Sequence, residues 1–274
     1  GTGTSVSYTA ASNITVSGNV NIGTATTFNG ASFTHNIAGS WTNSGTFTGT
    51  TSTINMTGDG SVISGTGVHN FFNIIIAGSN ITAAATSSIT IGGNLTTISP
   101  CVFTHLPGGT LTMSGAAKSI SGTGITLDNV TVTGTVSSSS SILITGSISV
   151  TGSFTSNSPG NILMNGTTKT IGGGGTILFS SLQVSGTVTA SSGFSISQSL
   201  DVSGALSATA GTATFTGTST LNGTANLFNV TINGTSLILS ASSVLGIANT
   251  FIITAGSLNV SSNKPNTVIF NGTG

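Results

Sequence analysis

One seven-residue line returns five times in this chain. It reads Ser52-Thr-Ile-Asn-Met56-Thr-Gly58, Gly109-Thr-Leu-Thr-Met113-Ser-Gly115, Gly160-Asn-Ile-Leu-Met164-Asn-Gly166, Gly211-Thr-Ala-Thr-Phe215-Thr-Gly217 and Asn266-Thr-Val-Ile-Phe270-Asn-Gly272. The anchors Met56, Met113, Met164, Phe215 and Phe270 keep a nearly constant interval. A fixed period of this size marks a repeat architecture, in which each unit buries its apolar face against its neighbours. Between the anchors, Gly115, Gly134, Gly152, Gly166, Gly186, Gly204 and Gly217 mark shorter steps, three to a repeat. Such steps suit one coil of a β-solenoid, with glycine at corners where it tolerates positive φ.

Within the coils, aliphatic and hydroxyl residues alternate, as in Ser141-Ile-Leu-Ile-Thr-Gly-Ser-Ile-Ser-Val-Thr-Gly-Ser-Phe154. Period-2 alternation rich in Val, Ile, Thr and Phe is a half-buried strand pattern. No 3.6-residue stripe is present, and Gly, Ser, Thr and Asn are poor helix formers. The expected fold is therefore all-β: one elongated parallel β-helix (β-solenoid) over residues 1–274. It has about three coils per repeat of roughly 51–57 residues, and about 15 coils in all. Repeats begin near 52, 109, 160, 211 and 266, after a less regular, aromatic-rich first part, 1–51. Tandem β-sandwiches are the alternative, weakened by a repeat short for a domain of roughly 100 residues. Asn73, Asn129 and Asn229, with Ser181, precede a strand in their repeats. There they are expected to bond local backbone at a corner.

Charge narrows the function classes. The chain holds only three Lys and three Asp, with no Arg and no Glu, for zero net charge. A near-neutral surface does not repel copies of itself. It has no basic footprint for nucleic acid. No apolar run reaches the roughly 18 residues of a membrane span.

Catalysis finds little to work with. Asp59, Asp128 and Asp201 fall in different repeats and read as solvated surface carboxylates, without the paired carboxylates of a glycosidase. His35, His69 and His105 are almost evenly spaced, near two coils each. Two coils apart on one face they would stand about 10 Å from each other, too far for one metal ion. Cys101 reads as a small buried hydrophobe. Lys118 and Lys169 share one repeat slot, following Gly115 and Gly166 at the same offset. The expectation is no enzyme, no cofactor and no metal site.

The ends are in phase. The last repeat opens at Asn266–Gly272, and residues 1–18 read as its continuation. Joined end to start, Gly272 and Gly18 fall one coil apart, as Gly58 and Gly78 do. Solenoids that stay monomeric carry polar caps, and neither end reads as one. The expected partner is a further copy of the chain stacked head to tail, with Val6, Tyr8, Val268, Phe270 and Gly272 at the junction.

The block at 109–154, with Gly-Thr-Leu-Thr-Met-Ser-Gly, Asp-Asn-Val-Thr-Val-Thr-Gly and Ile-Ser-Val-Thr-Gly-Ser-Phe, resembles repetitive bacterial surface proteins: β-strand-repeat, filamentous-haemagglutinin-like and autotransporter-passenger arrays. The resemblance implies secretion, a parallel β-helix and a structural or adhesive role. Together these readings give a structural subunit of an extracellular filament, sheath or surface layer. The alternative is an adhesin stalk binding surfaces or glycans, through the aromatics of 28–47. An ice-binding solenoid would need Thr-x-Thr in register on every coil. Thr131-Val-Thr133 and Thr212-Ala-Thr214 occur, but not once per coil, which ranks that reading below the other two.

Overall fold

A computed structural model describes residues 5–84, 87–260 and 265–271. The fold is an all-β parallel β-solenoid of about 13 turns. No helix occurs among the described residues. The chain divides into two compact units, Gly1–Ser137 and Ser138–Gly274.

In the first unit every coil carries three short strands, and each strand pairs in parallel with the strand three positions on. Three faces result. Face one stacks Val6–Thr9, Thr26–Asn29, Thr46–Thr48, Val68–Phe71, Ile89–Ile91, Thr110–Met113 and Asn129–Val132. Face two runs from Ile14–Val16 through Thr34–Ile37, Thr53–Met56, Asn73–Ile76 and Leu95–Thr97 to Lys118–Ser121. Face three runs from Val20–Ile22 through Trp41–Asn43, Val62–Ser64, Ile81–Ala83 and Phe103–His105 to Ile125–Leu127. Residues 5–51 thus form the same three-strand coils as the rest of the first unit.

Alternation does the sorting. In Thr110–Met113, Leu111 and Met113 are fully buried while the two threonines are half-buried. Inward residues stack on like residues of the next coil, as in Ile54–Ile74–Leu95–Ile120. Early coils place aromatics inside: Trp41 meets Phe47 edge-on at 4.8 Å, and Phe71 lies 5.6 Å from Trp41 and 5.3 Å from Phe47. Trp41 and Phe47 are completely buried.

The second unit keeps the pattern. Three inward columns are Ile162–Leu182–Leu200–Leu221, Phe179–Ile196–Phe215–Ile232–Ile253 and Val188–Leu206–Ala225–Leu245–Val268. Phe179 packs between Phe154 and Phe194, with ring centroids 6.2 and 6.3 Å away.

Coil length departs from the sequence spacing. Stacked partners bound coils of unequal length: the coil from Phe28 to Phe47 is short and that from Leu95 to Ile120 is long. In the second unit the coil from Phe179 to Ile196 is shorter still, and that from Val244 to Thr267 is again long. Such coils give about 13 turns rather than 15. The sequence repeat and the coil are therefore different units. Met56 and Met113 are eight strands apart. At three strands per coil that is two coils and two strands, so Met56 lies on face two and Met113 on face one. In the second unit Met164, Phe215 and Phe270 likewise fall on three different columns.

The corner glycines also act differently from expectation. Gly134, Gly186 and Gly204 do not have positive φ, whereas Gly217 does, at 91°. What the first three share is a neighbour. A Cβ on Gly186 would collide with the carbonyl oxygen of Gly166, and one on Gly204 with that of Gly186. The same holds for Gly134 over Gly115 and Gly115 over Gly92. These glycines form ladders in which the backbones of successive coils touch, and the carbonyls of Gly115, Gly166 and Gly186 accept the next coil's N–H: Thr135 N donates to Gly115 O at 3.0 Å, Thr187 N to Gly166 O at 3.0 Å and Ala205 N to Gly186 O at 2.8 Å.

Candidate functional site

Two surfaces stand out against this frame, one in each unit. In the first unit the opening coil exposes the inward-facing Val6 and Tyr8, at 42% and 61%. Tyr8 stacks on Phe28 and Phe28 on Phe47, which is completely buried. Ile14 and Val16 of the same coil are half-buried. In the second unit the final coil exposes Ile253, Val260 and Phe270, at 46%, 57% and 63%. Phe270 stacks on Ile247, which is 1% exposed, and its ring meets Phe251 edge-on at 5.9 Å. Val268 is half-buried beside it. Gly272, the remaining junction residue read from the sequence, lies outside the described residues. Ile253 and Val260 were missed in sequence. Only the register shows that Ile253 continues the inward column of Ile232 and Val260 that of Leu239.

The polar interior explains where the titratable residues went. His35, His69 and His105 are each 1% exposed, and they sit on faces two, one and three respectively. They are five strands apart and a coil has three, so they do not share a face. The His35 Nε2 bonds the Gly30 carbonyl at 2.9 Å, and its Nδ1 accepts from Ile14 N at 3.3 Å. The His105 Nε2 bonds the Ser87 carbonyl at 2.9 Å, and the His69 Nε2 bonds that of Gly65 at 3.4 Å. Among the described residues neither His69 nor His105 has a partner for Nδ1. Burial pulls both imidazoles below their ordinary range, against weaker upward effects of the backbone carbonyls and, for His105, of Asp128.

The carboxylates take structural posts. Asp59 Oδ1 accepts Ser79 N at 2.7 Å from one coil on. Asp201 accepts from Ser199 Oγ at 2.8 Å and from Asn222 Nδ2. Asp128, read from the sequence as a solvated carboxylate, is instead only 3% exposed. Its Oδ2 accepts Gly108 N at 2.7 Å and Asn129 Nδ2 at 2.9 Å. Charge-assisted bonds of this kind hold a carboxylate inside a corner. Among the described residues no group of three or more His, Cys, Asp or Glu is close enough to hold a metal ion.

Cys101 is buried, as the sequence suggested. Lys118 and Lys169 do repeat one geometry. Each aliphatic stem lies where a Cβ on Gly115 or Gly166 would project, and the Lys118 ammonium sits 5.1 Å above the Phe72 ring. The pre-strand asparagines bond backbone of the neighbouring coil, Asn129 in addition to its bond to Asp128. Asn94 N donates to Asn73 Oδ1 at 2.9 Å, Asn129 Nδ2 to Gly109 O at 3.1 Å, and Asn229 Nδ2 to Gly211 O at 3.2 Å. The aromatics that would have formed a sugar platform in 28–47 are turned inward at Trp41 and Phe47.

No family model, no curated protein and no solved structure matches this chain.

Proposed function

We propose that the chain is a structural subunit of an extracellular filament, sheath or surface layer, in which solenoid ends of successive copies stack head to tail. One observation carries the reading: the inward columns, buried within each unit, surface at Val6 and Tyr8 in the first and at Ile253, Val260 and Phe270 in the second. Burying a side chain of this size contributes about 1.5–3 kcal/mol. Strands with free backbone edges add parallel strands from a neighbour. A contact between two different patches that does not close generates a fibre. The sparsely charged, net-neutral surface lets such copies lie close together, and a chain with three Lys and no Arg offers few sites to trypsin-like proteases outside the cell. The resemblance to repetitive bacterial surface proteins points the same way.

Sedimentation velocity of the purified chain beside a Tyr8→Asp, Phe270→Asp double variant tests the reading. The parent is expected to form concentration-dependent polymers and the variant to remain dispersed. Identical monomeric behaviour of both refutes it.

A further inference from the structure

The outward side of face one carries an array that the sequence does not display. Register places Thr9, Asn29, Thr48, Asn70, Thr90, Thr112 and Thr131 in one unbroken column over seven coils. Two residues before each, on the same outward side, stand Ser7, Thr27, Thr46, Val68, Ser88, Thr110 and Asn129. Four of the seven coils thus pair two hydroxyls, at Ser7-x-Thr9, Thr46-x-Thr48, Ser88-x-Thr90 and Thr110-x-Thr112, and the other three carry Asn29, Asn70 or Asn129 as one member. Val68 is the one apolar member, and it has the shape of Thr with a methyl in place of the hydroxyl. Neither column contains a charged residue. The pairs escape notice in sequence because their spacing wanders as corners lengthen and shorten: Asn29 to Thr48 is a shorter interval than Thr48 to Asn70.

The other outward columns of the unit differ. Ile75 interrupts face two between Asn55 and Thr96, and Val62 precedes Thr82 on face three. Hydroxyls there are already engaged: Thr42 Oγ1 with Ser64 Oγ and Thr96 Oγ1 with Ser121 Oγ, both at 3.2 Å. On face one, by contrast, the hydroxyls of Thr48, Thr90, Thr112 and Thr131 make no side-chain hydrogen bond among the described residues. The Asn29 and Asn129 side chains are exceptions, each tied to a corner. The free hydroxyls are left to solvent.

Parallel stacking sets about 4.8 Å between coils and roughly 6.6 Å between alternate residues of a strand, so the array covers about 29 Å along one direction. Threonine is stiff at χ1, which fixes hydroxyl and methyl positions together. Such a surface orders water into a repeating two-dimensional sheet, with hydroxyls anchoring molecules and methyls caging the rest. A lattice of that kind is complementary to a growing ice plane, whereas charged side chains would hold water in shells of their own. We propose that face one of the first unit binds ice. The inference does not depend on how the solenoid ends associate.

Nanolitre osmometry on the purified full chain tests it, with Thr90→Lys and Thr112→Lys on the array and Thr104→Lys on face three as control. Circular dichroism establishes that each variant keeps its strand content. The expected result is thermal hysteresis and faceted ice crystals with the parent and the control, and loss of both with either array variant. Absence of hysteresis and shaping in the parent overturns the proposal. So does equal activity in array and control variants, or retention on insoluble cellulose or chitin without any effect on ice.

Discussion

Replacing Gly186 by Ala puts the packing account under direct strain. A Cβ there would stand 2.6 Å from the Asn165 carbonyl carbon and closer still to the Gly166 carbonyl oxygen. Ordinary contact between carbons is about 3.5–4.0 Å, so the two coils must part by about 1 Å. Both contacts are backbone, so no side chain can rotate away. Parting them also stretches the bond from Thr187 N to Gly166 O, now 3.0 Å. Overpacking costs typically about 1–3 kcal/mol. With two backbones and a hydrogen bond involved, the expected loss is about 3 kcal/mol, or about 6–12 °C in melting temperature. Gly174→Ala is the control, because a Cβ at Gly174 meets nothing within 4 Å and its φ is not positive. There the smaller entropy of the unfolded chain makes the change neutral or stabilising by up to about 1 kcal/mol. Thermal melts followed by circular dichroism compare the two. Equal melting temperatures would refute the reasoning that ladder glycines exist for close approach of coils.

Phe179→Ala removes a fully buried ring between Phe154 and Phe194 and is expected to cost about 3–5 kcal/mol, read from denaturant titration. His69 and His105 bind protons more weakly folded than unfolded, so the unfolded state holds more protons below its ordinary pKa of about 6.5 and stability falls as pH drops through that point. His69→Leu should flatten the fall between pH 7 and pH 5 in parallel titrations, and an unchanged slope contradicts the assignment. Cys101 should resist thiol reagents in the native protein and react on denaturation, since a buried thiol in apolar surroundings is inert. Fast native labelling would show that its corner opens.

Much of this architecture is legible in the residues, and the illegible part has a physical cause. Alternation in stretches such as Ser141–Phe154 fixes strand and inward face, because a strand shows its side chains to opposite sides with period 2. Parallel coiling follows from repetition. Register does not, because corners absorb a variable number of residues at little cost. The anchor Met56 stacks between Ile37 and Ile76, and no local signal tells which glycine closes each coil. The histidines illustrate the consequence: their near-even spacing does not tell which face each occupies, while five strands at three per coil distribute them over all three. Glycine at 134, 186 and 204 reads as a turn residue in sequence, since a ladder of touching backbones requires knowledge of the coil beneath. The same ignorance of register hid the hydroxyl array of face one. Of the end-coil residues, Tyr8 and Phe270 were legible from repeat phase, whereas Ile253 and Val260 needed the columns.

Electron microscopy of the purified wild-type chain, imaged across a concentration series, addresses the head-to-tail arrangement most directly. The account predicts unbranched filaments one solenoid wide that lengthen with concentration. Dispersed particles of constant size at every concentration would contradict it.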